Sequence, residues 1–363
     1  MKKMFMAAGM AAVMTACGTA GQKAATDAGN PFLAEYSTPF GVPPFDLIKV
    51  EHYKEAFLKG MEEQKKEIDA IVNQRSVPDF DNTIAAFDQS GELLNKVSTV
   101  FSGLNSCNTN DEMQAFNKEI TPLLSAHRDD ISLNPALFAR VKEVYERREK
   151  LGLDKEQNKL LEETYKKFVR GGANLDSVDQ AKLRQLNSEI SMLQLTFGQN
   201  LLKETNAFEL VIDKKEDLAG LPESLVASAA EAAKGAGMEE KWLFTLHNPS
   251  VMPFLQYADN RELREKIFKG YINRGNNGNE ADNNEIVKKL VALRLEKAKL
   301  MGYADYASFI LEDRMAKNEE NVYRLLNQIW TPAVAKAKEE LSDIQSEIKK
   351  EGANFTPEGW DWR

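Results

Sequence analysis

The feature that most constrains this chain is the period of its apolar residues. Across residues 50–74, Tyr53, Phe57, Met61, Ile68, Ile71 and Val72 recur mostly at spacings of 3, 4 and 7, which draws one apolar stripe along an α-helix. Leu183, Leu186, Ile190, Leu193, Phe197 and Leu201 draw another, with Lys, Arg, Gln, Glu and Asn on the remaining faces. A stripe of this kind is buried only against a second one, so helices packed on helices are expected over nearly all of 45–205. Cap chemistry agrees. Thr109-Asn110-Asp111-Glu112 reads as a capping box, and Asn134-Pro135 places proline at a first helical position.

The period changes after residue 205. Phe208-Glu209-Leu210-Val211-Ile212 alternates and then runs apolar, and Trp242-Leu243-Phe244-Thr245-Leu246 is similar. With a helix-forming stretch at 227–233 between them, these segments read as a small β-α-β insert. Breaks fall at Gly171-Gly172 and at the charge run 213–217. Helices resume from Ser250, pass a polar Gly/Asn loop at 273–285, and continue at 286–301 and 319–350, with a kink expected at Pro332. The fold class is mainly α with one small sheet. The chain divides into 1–16, 17–29, 30–205, 206–250 and 251–363.

The first two segments read as export signals. "MKKMFMAAGMAAVMTACG" has two lysines, a short apolar run and small residues before Cys17, the layout of a secretory signal whose apolar run is too short to span a bilayer. Met14-Thr15-Ala16-Cys17 is similar to a bacterial lipobox, with Met14 where a leucine-like residue is usual. Cys17 is therefore the expected lipidation site, residues 17–29 a tether, and the protein an exported, membrane-anchored lipoprotein facing the periplasm. Lipid on Cys17 leaves Cys107 alone, so no intrachain disulfide is expected. A formal net charge of −9 argues against nucleic acid as partner and against attraction to an anionic membrane surface.

Chemistry is sparse. The chain has three histidines, His52, His127 and His247, and none has a second histidine at helical spacing. His52 and Glu55 share a helix face, with Glu51 beside them, but two ligands fall short of the three that a catalytic zinc takes. His127-Arg128-Asp129-Asp130 places a base among carboxylates, and four polar residues closing a helix ordinarily face solvent. His247 precedes Asn248-Pro249 and reads as a turn hydrogen-bonder. Cys107, in "NSCNTND" before a helix, would be activated only at that helix's N-terminus. No nucleophile elbow, phosphate-binding loop, dinucleotide turn or cysteine cluster occurs.

Longer stretches carry a resemblance. "NPFLAEYSTPFGVPPFDLIKVEHYKEAF", "LNPALFARVKEVYERR", "FTLHNPSVMPFLQYADNRELREKIFKGYINRG" and "LRLEKAKLMGYADYASFILEDRMAKNEENVYRLL" together resemble the thimet-oligopeptidase-like zinc metallopeptidases, most of all their bacterial peptidyl-dipeptidase branch. The resemblance runs from Asn30 to Arg363. It implies a helical lobe of a two-lobed, channel-containing enzyme, monomeric when complete, that removes dipeptides from the C-termini of short oligopeptides with one zinc ion. In that family a "WDWRYY"-like stretch precedes the His-Glu-x-x-His zinc helix. Here Trp360-Asp361-Trp362-Arg363 closes the sequence, and no histidine matches a family zinc ligand. The resemblance thus assigns no catalytic or metal residue to this segment, leaves its substrate contacts unknown, and implies that the segment alone is inactive. The alternative is a non-catalytic helical peptide-binding lipoprotein, and two tryptophans in the last four residues argue against it.

Overall fold

The structure is a computed structural model that describes residues 29–362. The signal, most of the tether and Cys17 lie outside the described residues. The expected mainly α architecture is present, and one apolar stripe after another accounts for it. α1 (Val50–Val72) packs along α3 (Glu92–Cys107) and α4 (Asp111–Ser132), and the three enclose Tyr53, Phe57, Val97, Phe101, Phe116 and Ile120. Phe32, from a short turn of helix at Pro31–Leu33, closes that core against Tyr53. Gly60 sets the α1–α3 spacing, because a Cβ there would come within 2.9 Å of the Leu94 backbone. Between α1 and α3 a π-helical turn, Phe80–Ala85, runs into the short α2 (Ala86–Asp88).

A second core forms at the far end of α1. α5 (Pro135–Glu146) and α6 (Lys155–Arg170) bring Leu137, Val141, Val144, Leu161 and Phe168 against Ile68 and Ile71. Asn134 caps α5 through Ala136 and Leu137, with Pro135 at the first position as expected. The expected capping box at 109–112 is shifted by one residue. Asn110, not Thr109, is the N-cap, and its side chain accepts from the Met113 amide at 2.8 Å. Either residue type can cap, and sequence alone does not choose between neighbours.

α7 (Ser177–Ala207) packs on α4 and on α11 (Asn284–Leu300) and carries the chain to the third core. There β1 (Leu210–Ile212) and β2 (Trp242–Phe244) pair antiparallel, Leu210 opposite Phe244, with α8 (Glu223–Gly235) between them in sequence. The pairing is antiparallel, so the unit is not a parallel crossover. The sheet packs with α8, α9 (Asn248–Tyr257) and α10 (Arg261–Ile272) around Phe244, Val251, Phe254 and Ile267.

Beyond α11, α12 (Tyr306–Leu311) leads to α13 (Glu319–Lys350), which is helical through Pro332. Ile348 is the buried residue of α13, whereas Tyr323, Leu325, Leu326, Ile329, Trp330 and Leu341 are exposed, Trp330 by 68%. No helix among the described residues is long and apolar enough to cross a membrane. The chain then folds back onto α10. Trp360 meets the Phe268 ring edge-on at 5.9 Å, and the Asp361 side chain is 4% exposed beneath Arg261 and Arg264. The tail is therefore docked, with Trp362 39% exposed.

Candidate functional site

α1, α3, α4 and α6 leave an open cavity of about 540 Å³ between them. Its walls are Phe87, Leu94, Leu124, Ile131 and Phe168, and its polar groups are Gln64, His127, Arg128 and Lys167, together with two serines. His127 lies on the same stripe as Ile120, Leu124 and Ile131, which places its ring inside the bundle. Its Nε2 is 2.7 Å from Gln64 Oε1. Burial pushes the imidazole below its usual range, with Lys65 adding to the effect and Asp130 opposing it. The expected solvated helix end is thus wrong for two of its four residues, because α4 continues to Ser132 and turns His127 and Asp129 inward.

Asp129 accepts from Asn187 Nδ2 at 2.8 Å, and Lys297 Nζ donates to Asn187 Oδ1 at 2.6 Å. These bonds tie α4, α7 and α11 at one level. Burial pushes the Asp129 carboxyl up, against the Asn187 hydrogen bond and the nearby cations, and it pushes the Lys297 ammonium down, against Asp129. Desolvation outweighs attraction for both groups, so the cluster fixes the register of three helices more than it adds stability.

A second polar centre organises the Gly/Asn loop. Glu204, near the end of α7, accepts from the Gly275 amide, from Asn277 Nδ2 at 2.9 Å and from Asn279 Nδ2 at 2.6 Å. Burial raises its pKa, but the three donors outweigh burial and hold the carboxyl below its usual range. Three protein N–H groups already engage this carboxylate, so its role in the structure is to shape the loop. The sequence signal for it was weak: an acid on a helix and a distant Asn-rich loop do not announce that they meet.

The other sequence candidates are scattered. His52 Nδ1 accepts from the Lys49 amide at 3.0 Å and Glu55 accepts from Asn30, so both residues close the start of α1, where Glu51 lies 3.7 Å from Lys49. His247 is the N-cap residue of α9, its ring bonded to Thr245 and Asn206, which fits its reading as a turn hydrogen-bonder. Cys107 is exposed and ends α3 instead of opening α4, so the arrangement that would activate a thiol is not there. Zinc does not fit these residues. The three histidines are far apart, each ring is engaged by a different neighbour, and no group of three or more His, Cys, Asp or Glu able to hold a metal occurs among the described residues.

Comparison with known proteins gives the resemblance its measure. Residues 254–363 match the model of Peptidase family M3. The dipeptidyl carboxypeptidase of Escherichia coli (strain K12) is 40% identical across 92% of this chain and 49% of its own length. That of Salmonella typhimurium is 39% identical over the same shares, and oligopeptidase A of Haemophilus influenzae is 28% identical across 88% of this chain and 47% of its own length. The chain spans about half the length of the curated relatives it matches. Over a span that includes all three cores the chain is thus similar to dipeptidyl carboxypeptidases and oligopeptidase A, and its residues 254–363 match Peptidase family M3.

Proposed function

We propose that this chain is one lobe of an exported, zinc-dependent oligopeptidase that removes dipeptides from the C-termini of short peptides, and that the lobe by itself is inactive. The observation that carries the reading is the apolar face of α13. A 32-residue helix with Leu325, Leu326, Ile329 and Trp330 all at least 50% exposed is half of an interface, and soluble proteins rarely leave such a stripe bare. The relatives, named for peptide cleavage and about twice the aligned length, supply the reason to assign the missing cover to a second lobe. Zinc and the general base of the His-Glu-x-x-His motif would come from that lobe, since no residue set here fits the metal. Folded proteins would be excluded by the channel between the lobes.

The assay is dipeptide release from an oligopeptide with a free C-terminus by the purified chain, with and without zinc. No release is expected, and zinc-dependent release would overturn the inactive-lobe reading. Reading the coding sequence past the codon for Arg363 tests the peptidase itself. A His-Glu-x-x-His helix downstream supports it, whereas an immediate stop codon, together with micromolar peptide affinity by calorimetry, would move the function to peptide binding. For the anchor, labelled palmitate should enter the protein expressed in a bacterium and be lost in Cys17→Ser. Unchanged labelling would remove Cys17 as the lipid site.

A further inference from the structure

The cavity between α1, α3, α4 and α6 has a composition that neither the fold nor peptide cleavage accounts for. Leu94, Leu124, Ile131 and Phe168 make it apolar, and no carboxylate lines it. Arg128 and Lys167, both exposed, stand at its mouth from two different helices. Some exposed lysines and arginines of this chain have an acidic neighbour, for example Lys54 with Glu119 and Lys182 with Glu296. Arg128 instead gives its Nε only to the Leu124 carbonyl, one turn back in its own helix, at 3.1 Å. The Lys167 ammonium has no ion-pair or hydrogen-bond partner among the described residues. Two unpaired cations over an apolar hollow in a chain of net charge −9 are complementary to one kind of small molecule.

We propose that this cavity binds a small amphipathic carboxylate, its aliphatic body against Leu94, Leu124, Ile131 and Phe168 and its carboxylate between Arg128 and Lys167. The volume of about 540 Å³ lies within the range of roughly 300–1,000 Å³ common to small-molecule sites. His127 and Gln64, already hydrogen-bonded to each other, form a polar patch inside that needs no partner from the ligand. An apolar body gains from the walls whatever its head group, and only the head group distinguishes an anion from its neutral analogue. Charge is therefore the discriminating variable.

The probe is decanoate, titrated calorimetrically into the full chain below the concentration at which it forms micelles, with decanol as the neutral control. One decanoate is expected per chain, with decanol at least tenfold weaker. The double variant Arg128→Gln, Lys167→Gln should lose at least tenfold in decanoate affinity and leave decanol unchanged. Leu124→Trp, which fills the cavity without touching charge, should abolish both. The melting temperature of each variant shows whether it has folded, and exposed Arg128 and Lys167 should be replaceable without loss. Absence of saturable decanoate binding, equal affinity for decanol, or full affinity in the charge variant would each overturn the proposal. Binding that survives Leu124→Trp would place decanoate on the α13 face instead and overturn it equally.

Discussion

Four N–H groups donate to Asp361. Arg261 donates Nε to Oδ1 at 3.0 Å and Nη2 to Oδ2 at 2.8 Å, Arg264 donates Nη2 to Oδ1 at 2.8 Å, and the Glu358 amide reaches Oδ2 at 3.0 Å. Burial raises the carboxyl's pKa, but these donors outweigh it and hold the group below its usual range. A depressed folded-state pKa means that the unfolded chain binds the proton more readily. The stability this carboxylate contributes is therefore complete above the ordinary Asp value of 3.8 and is lost as pH falls through the lower folded value. Asp361→Ala leaves two guanidinium groups facing each other and should cost about 2–3 kcal/mol in urea denaturation at neutral pH. The difference from the parent should shrink in strong acid. A variant as stable as the parent at neutral pH would mean that the tail is not held by this carboxylate. The sequence placed two tryptophans here but gave no sign of the clamp, because Arg261 and Arg264 lie 100 and 97 positions away from Asp361.

At the level of elements, the helices were legible because each stripe is a local pattern that fixes both the helix and its buried side. α1 and the 319–350 helix begin where the pattern places them, and α5 has the expected cap. What a stripe cannot state is its partner. α1 and α13 carry comparable apolar faces, yet one is buried under α3 and α4 while the other faces solvent. The same limit hid His127, since a polar residue on an apolar stripe reads as an interruption until the neighbouring helices are known. The open face of α13 has a direct consequence. The purified chain should bind a hydrophobic dye and self-associate, and Ile329→Glu with Trp330→Glu should remove most of the dye signal. Exposed positions of this kind change stability by only about 0.5 kcal/mol each, so the melting temperature should barely move. A dye-free monomeric parent would show that this face needs no cover.

At the scale of the whole molecule, the described residues form three cores, and they are not equally joined. The first two share α1, whereas the third, built on β1, β2 and α8–α10 with Trp360, meets the others mainly through the end of α7. Phe208 packs against Gly270, Asn206 bonds His247, Thr205 accepts from Arg274, and Glu204 gathers the loop that leads into α11. Glu204 lies at the centre of this junction, so its substitution tests whether the junction transmits folding. In Glu204→Gln one acceptor oxygen becomes a donor that faces either the Asn279 N–H group or those of Gly275 and Asn277, at a cost of about 1–3 kcal/mol. Trp242 and Trp360 belong to the third core, and α1–α7 contain no tryptophan. Trp330 and Trp362 are already exposed in the folded chain, so the change in tryptophan fluorescence on unfolding follows the third core, while far-ultraviolet dichroism reports on all the helices. The two urea transitions should coincide in the parent and separate in Glu204→Gln, fluorescence changing first because the third core loses its anchor. Coincident transitions in the variant would mean that the cores are coupled elsewhere, with the Asp129–Asn187–Lys297 tie across α4, α7 and α11 the next position to break.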